Sequence, residues 1–168
     1  VTSKNGFITT GPANVVDADS SVALTVATHA GRIVHNNAAG AVTYTLPAIN
    51  ANSDSAVAGP GADLNNLSNI GASFEIFASI TKTGDFVVQV ANSNDVMVGG
   101  AKFIDDSSDN MVGFETVAAS DTITLNGSTT GGVTFAKVTC TAISSTQWKV
   151  DVESGCTGTP ATPFSAAV

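Results

Sequence analysis

Charge is what this sequence has least of. Only 12% of its 168 residues are charged, against about 25% in an ordinary soluble domain. With 43% hydrophobic residues, such a chain is neither a disordered segment, a coiled coil nor a long charged helix. Basic residues are scarcest. Six Lys and Arg stand against fourteen Asp and Glu, a net charge of −8, so the positive surface that phosphate backbones and anionic lipids require is missing. Neither nucleic acid nor a membrane is an expected partner. No apolar run approaches the roughly 18 residues of a membrane helix. The opening Val1-Thr2-Ser3-Lys4-Asn5-Gly6 lacks the apolar core of a signal peptide, and the chain reads as soluble. Absent too is any 3.6-residue stripe lasting three turns, which excludes parallel α/β folds.

What is present is period-2 alternation rich in Val, Ile, Thr and Phe, broken by Gly, Asn, Asp and Ser. The expected fold is all-β: an antiparallel two-sheet sandwich or jelly-roll-like domain over residues 14–156, with extended terminal arms at 1–13 and 157–168. Three hairpins are predicted. Residues 74–80 and 86–90 join through Lys82-Thr83-Gly84, with Gly84 left-handed, setting Ile80, Ala78 and Ile76 opposite Phe86, Val88 and Val90. Residues 32–36 and 42–46 join around Asn37-Ala38-Ala39-Gly40. At the end of the chain, matching apolar faces makes Ser144-Ser145-Thr146 the loop, pairing Ala142 with Trp148 and Cys140 with Val150. The parity slip from Val133 and Phe135 to Val138 predicts a bulge near Ala136-Lys137. Further strands are expected at 22–27, 95–98, 102–104, 111–117 and 121–126. Residues 48–71, with Gly59-Pro60-Gly61 in the middle, form a long loop of the kind that is usually functional or mobile.

Residues that carry chemistry are sparse. His29 and His35 sit in no motif, and no G-x-S-x-G elbow supplies a nucleophile. His35 shares the Ile33 face of its strand and reads as a surface or interface histidine. Asp105-Asp106-Ser107-Ser108-Asp109-Asn110 is oxygen-rich, but an EF-hand count from Asp105 puts Asn110 at the glycine position and Thr116 at the bidentate glutamate position. A solvated turn is expected there, and no metal or other cofactor. Cys140 and Cys156 are permitted a disulfide by their even number. Six extended residues would carry Cys156 about 20 Å from Val150, so the bond needs a turn at Ser154-Gly155 or a second subunit. Phe77 and Val87 fall on the polar face of the central hairpin. With Phe7, Ile8, Pro160, Pro163 and Phe164 of the arms, they are the interface candidates.

Gly31-Arg32-Ile33-Val34-His35-Asn36-Asn37 followed by Ala41-Val42-Thr43-Tyr44-Thr45-Leu46-Pro47-Ala48 resembles a segment of virion structural proteins of tailed bacteriophages. In that family a glycine and a short strand ending in Asn lead to a Thr-rich strand closing on Leu-Pro. Asp121-Thr122-Ile123-Thr124-Leu125, then Trp148-Lys149-Val150 and Gly155, look like the same family's last strands. The match covers less than half the chain, and the 48–71 stretch and Cys156 depart from the pattern. Head decoration proteins and fibre or spike domains share it, both trimeric β structures without catalytic residues. The resemblance therefore implies a non-enzymatic homotrimer. An independent domain with an arm at each end favours a capsid decoration protein, made in the host cytoplasm and bound to the major capsid protein on the outer surface of the head. The alternatives are a fibre or spike domain and a carbohydrate-binding adhesive module.

Overall fold

The computed structural model describes residues 15–50 and 68–168, so the N-terminal arm with Phe7 and Ile8 and the middle of the long loop lie outside the described residues. Twelve strands and one helical turn follow in chain order: β1 (Val15–Asp17), β2 (Val22–Ala23), α1 (Val26–His29), β3 (Ile33–Asn36), β4 (Val42–Thr45), β5 (Ser73–Ala78), β6 (Phe86–Gln89), β7 (Val96–Asp105), β8 (Asn110–Glu115), β9 (Thr122–Leu125), β10 (Ala136–Ala142), β11 (Gln147–Cys156) and β12 (Phe164–Ser165). They make a two-sheet sandwich. One sheet has seven strands in the order β1-β3-β5-β10-β11-β7-β8, the other five in the order β12-β9-β6-β4-β2. Among the described residues helix is confined to one short turn, capped by the Thr25 hydroxyl, which accepts from Thr28 N.

The all-β sandwich matches the alternation, but the sheets are mixed rather than antiparallel: among the described residues five of the ten strand pairings are parallel. For four of the five, all but β7 with β11, the reason is the path of the chain. From β1 to β6 it changes sheet at every step, so β1, β3 and β5 lie parallel in one sheet and β2, β4 and β6 parallel in the other. Parallel neighbours need a crossover, ordinarily a helix. Here a strand of the opposite sheet serves as the crossover.

This winding corrects two of the three hairpins. The 32–36 and 42–46 segments are β3 and β4, and the 74–80 and 86–90 segments are β5 and β6; each pair is split between the sheets. Phe74, Ile76, Ala78, Phe86, Val88 and Val90 are all buried as the alternation requires, but they oppose one another across the core instead of along a ladder, and Ile80 is outside it at 37% exposure. Gly84 is not among the residues with positive φ. Its role is close approach: a Cβ there would lie 2.6 Å from Ala41 N.

The last hairpin forms as read, with Ala142 opposite Trp148 and Cys140 opposite Val150. In place of a bulge near Ala136-Lys137, β10 simply begins at Ala136, and Phe135 just before it takes a left-handed φ of 73°. The 95–98 and 102–104 segments are one strand, β7, running through Gly99 and Gly100. The 22–27 strand stops at Ala23, where α1 takes over.

The core lies between the sheets. Trp148, Tyr44, Phe74, Phe86 and Phe103 are fully buried in it, with Phe74 edge-on to Trp148 at 5.8 Å between ring centroids and Tyr44 tilted against Phe86 at 5.3 Å. Residues 157–168 are not a free arm. β12 pairs with β9, Phe164 is buried, Thr124 N donates to Pro163 O at 2.8 Å, and Ala167 N donates to the Asp121 carboxylate at 2.8 Å. Proline cannot donate to a ladder, but its carbonyl still accepts, which is how this segment covers the edge of β9.

Candidate interaction surface

The outer face of the seven-stranded sheet can be followed row by row through the strand registers. One row runs Asp17, His35, Phe77, Lys137, Glu153, Lys102, Gly113 from β1 to β8. The row beside it holds Gly155, Ile104 and Met111. Phe77, Phe135, Ile104 and Met111 border a shallow groove of about 340 Å³, with Lys102, Lys137 and Glu153 as its polar wall. Ile104 is 54% exposed, Phe135 54% and Met111 72%. Isolated apolar residues on a surface are ordinary; a contiguous group of long ones on one face marks a contact surface.

Two backbone features build the groove. Phe135 is held left-handed, a conformation that a bulky residue adopts only where its surroundings impose it and that is found most often at functional sites. Gly155 lies under it: a Cβ at that position would stand 3.3 Å from Phe135 Cζ and 3.4 Å from Val133 Cβ. The polar wall is an ion pair. Lys137 Nζ meets Glu153 Oε2 at 2.7 Å, which raises the lysine's pKa and lowers the glutamate's. Lys102 stands 3.7 Å from Asp151. Being solvated, these pairs orient the wall more than they stabilise the fold.

Beside Phe77, three side chains form a hydrogen-bonded line. His35 Nδ1 is 2.9 Å from Asp17 Oδ1, and His35 Nε2 is 2.9 Å from Ser79 Oγ. The order is that of a carboxylate, a base and a nucleophile. The oxyanion side is not built, however. Ser79 N–H is committed to Asn36 O at 3.0 Å, and the other partners of Ser79 Oγ are the acceptors Asn36 O and Asn37 Oδ1. Asp17 is 80% exposed. The line ties the ends of β1, β3 and β5 together.

Of the interface candidates, Phe77 is in the groove. Val87 lies half-buried in β6, paired with Thr43 and Thr124 in the other sheet, so the two residues sit on opposite faces of the sandwich. Pro163 and Phe164 are buried against their own domain and Pro160 is half-buried, which removes the C-terminal segment as a free contact arm. Ile104, Met111 and Phe135 are the groove residues that the sequence reading missed. A signal existed for two of them: Phe103-Ile104 and Met111-Val112 are adjacent apolar pairs inside alternating strands, and one member of each has to face outward.

The remaining candidates are accounted for locally. Asp105 accepts from Ser107 N, Ser107 Oγ and Ser108 Oγ, which lowers its pKa and closes the β7–β8 turn. His29 is buried in α1, its Nδ1 accepting from Thr25 N. Cys140 and Cys156 are both free and buried, and burial pushes the Cys140 thiol up to about 12. Among the described residues no group of three or more His, Cys, Asp or Glu could hold a metal ion, and no helix is long and apolar enough to cross a membrane. Comparison with protein-family models, with curated proteins and with solved structures gives no match for this chain.

Proposed function

We propose that this protein is a non-enzymatic structural protein of a tailed-bacteriophage virion: a homotrimeric decoration protein that binds the major capsid protein on the outer surface of the head. The observation that carries the reading is the apolar groove of Phe77, Ile104, Met111 and Phe135 on the outer face of the seven-stranded sheet. The resemblance of residues 31–37, 41–48 and 121–125 to phage virion proteins supports it separately. The occupant we assign is an apolar segment of the capsid protein, whose side chains would fill the groove while the polar wall meets its backbone. A decoration protein cements by mass action. Each bound copy stabilises the closed shell by about 2.7 kcal/mol at a hundred times Kd, and linked copies add avidity.

The test is sedimentation of phage heads stripped of decoration with wild-type protein and with the double variant Ile104→Asp, Met111→Asp. The expected result is co-sedimentation of the wild type and at least a tenfold loss of occupancy in the variant. A wild type that leaves heads bare while binding glycans on an array would replace this reading with the adhesive one, although among the described residues burial of Trp148 and Tyr44 leaves Phe77, Phe114 and Phe135 as the aromatic surface for a sugar. Light scattering that gives a 16.8 kDa particle would exclude the trimer.

A further inference from the structure

Three polar side chains meet inside the sandwich where the chain leaves β3. Asn36 is fully buried and points inward. Its Nδ2 donates to Tyr44 Oη at 2.7 Å and to Ala18 O at 2.9 Å, and its Oδ1 accepts from Lys82 Nζ. Lys82, 3% exposed, also donates to Ala38 O at 2.5 Å and stands 5.0 Å from the centre of the Phe86 ring. The ion pairs among the described residues are Asp17–His35, Lys102–Asp151 and Lys137–Glu153, and none of them reaches Lys82. Burial pushes its amine below the ordinary lysine value, with only the charge of Asp19 opposing. Desolvation without a carboxylate partner favours the neutral amine, the form that attacks carbonyl carbon.

The electrophile is already in place, since Cγ of Asn36 lies one bond beyond the oxygen that Lys82 contacts. We propose that Lys82 and Asn36 join in an intramolecular isopeptide bond, a cross-link that this domain makes by itself between the seven-stranded sheet and the segment feeding the five-stranded one. The step balances without any co-reactant. The Nζ–Cγ bond forms, the Cγ–Nδ2 bond breaks, one proton passes from Nζ to Nδ2, and ammonia departs. Tyr44 holds the amide in place for that exchange. Its hydroxyl accepts from Nδ2 and donates to Ala18 O, and burial raises its pKa to about 12, so the phenol is intact at neutral pH. Folding supplies the rate by holding amine and amide together, an arrangement equivalent to roughly 10⁵ M or more of free reactant in well-oriented cases. The link would close the chain between residues 36 and 82 and restrict the unfolded state as a disulfide does, in a molecule whose two cysteines are free.

The experiment is mass spectrometry of the purified wild-type protein after denaturation. The expected intact mass is that of the sequence less one ammonia. Trypsin should then cut after Arg32 and Lys102 but not after Lys82, giving a peptide 33–102 with an internal branch. Lys82→Arg should restore the full sequence mass. Because the wild type is tested directly, the result does not depend on the variant's folding. A wild type of full mass that is cleaved normally after Lys82 overturns the proposal. So does an ammonia loss that fragmentation assigns to a cyclic imide elsewhere, for instance at Asn126-Gly127.

Discussion

His35 and Asn36 are neighbours in β3 and look in opposite directions, one onto the outer face of the seven-stranded sheet and one into the sandwich. Each organises polar groups of about the same number. Outside, His35 bridges Asp17 and Ser79; inside, Asn36 gathers Tyr44, Lys82 and Ala18 O. The difference is water. An exposed hydrogen bond exchanges for one to solvent when broken, whereas a buried one leaves its partner stranded, at about 1–3 kcal/mol for a neutral group and more for a charged one. The inner network thus contributes to the fold in a way that the solvated outer line does not.

The largest test of that difference is Asn36→Ala. It takes one partner each from the Lys82 amine and the Tyr44 hydroxyl, leaving them Ala38 O and Ala18 O, and it removes the proposed cross-link as well, so we expect a loss of about 3 kcal/mol or more in urea unfolding. A loss below about 1 kcal/mol would mean that water reaches the inner network and that the contrast between the faces is false.

Next comes Phe164→Ala. Phe164 is 9% exposed and seals the core beside Ile123 from a strand of only two residues, so removing its ring should cost about 2–3 kcal/mol. An unchanged melting temperature would return residues 157–168 to the role of a detachable arm.

How legible this was in the sequence depends on the range of the contact. The β10–β11 hairpin could be read because three loop residues connect its strands, and face matching then leaves one register. The same parity argument gave the buried residues of β3 to β6 correctly and their neighbours wrongly. Alternation reports which way a side chain points, not which sheet receives the next strand. Lys82 is the clearest loss: in sequence it belongs to a turn, Lys82-Thr83-Gly84, and only the crossing of the chain between sheets brings it onto Asn36, 46 residues away. Of the groove, Phe77 was legible as an apolar residue on a polar face, whereas Phe135 was assigned to the strand it precedes.

On the outer face, His35→Ala should lower stability by less than about 1 kcal/mol, since Asp17 is mostly exposed and solvent can take the place of the imidazole. A cost near that of Asn36→Ala would show that the Asp17–His35–Ser79 line holds the sheet edge as firmly as the inner network holds the core.

The smallest effect on stability, and the one that best separates folding from docking, belongs to Phe135→Gly. The ring is 54% exposed, so little burial is lost, and the left-handed φ of 73° that is strained for phenylalanine is natural for glycine. The two contributions oppose each other, and the melting temperature should stay within roughly 2 °C of wild type, a shift set by the size of the domain. The groove, however, loses the ring that stands over Gly155 and borders Ile104 and Met111. Occupancy on heads should therefore fall at least tenfold while the folded protein is otherwise unchanged. If Phe135→Gly decorates heads as well as wild type does, the groove is not the docking surface; if it unfolds, Phe135 belongs to the core after all and the strain at its backbone serves packing.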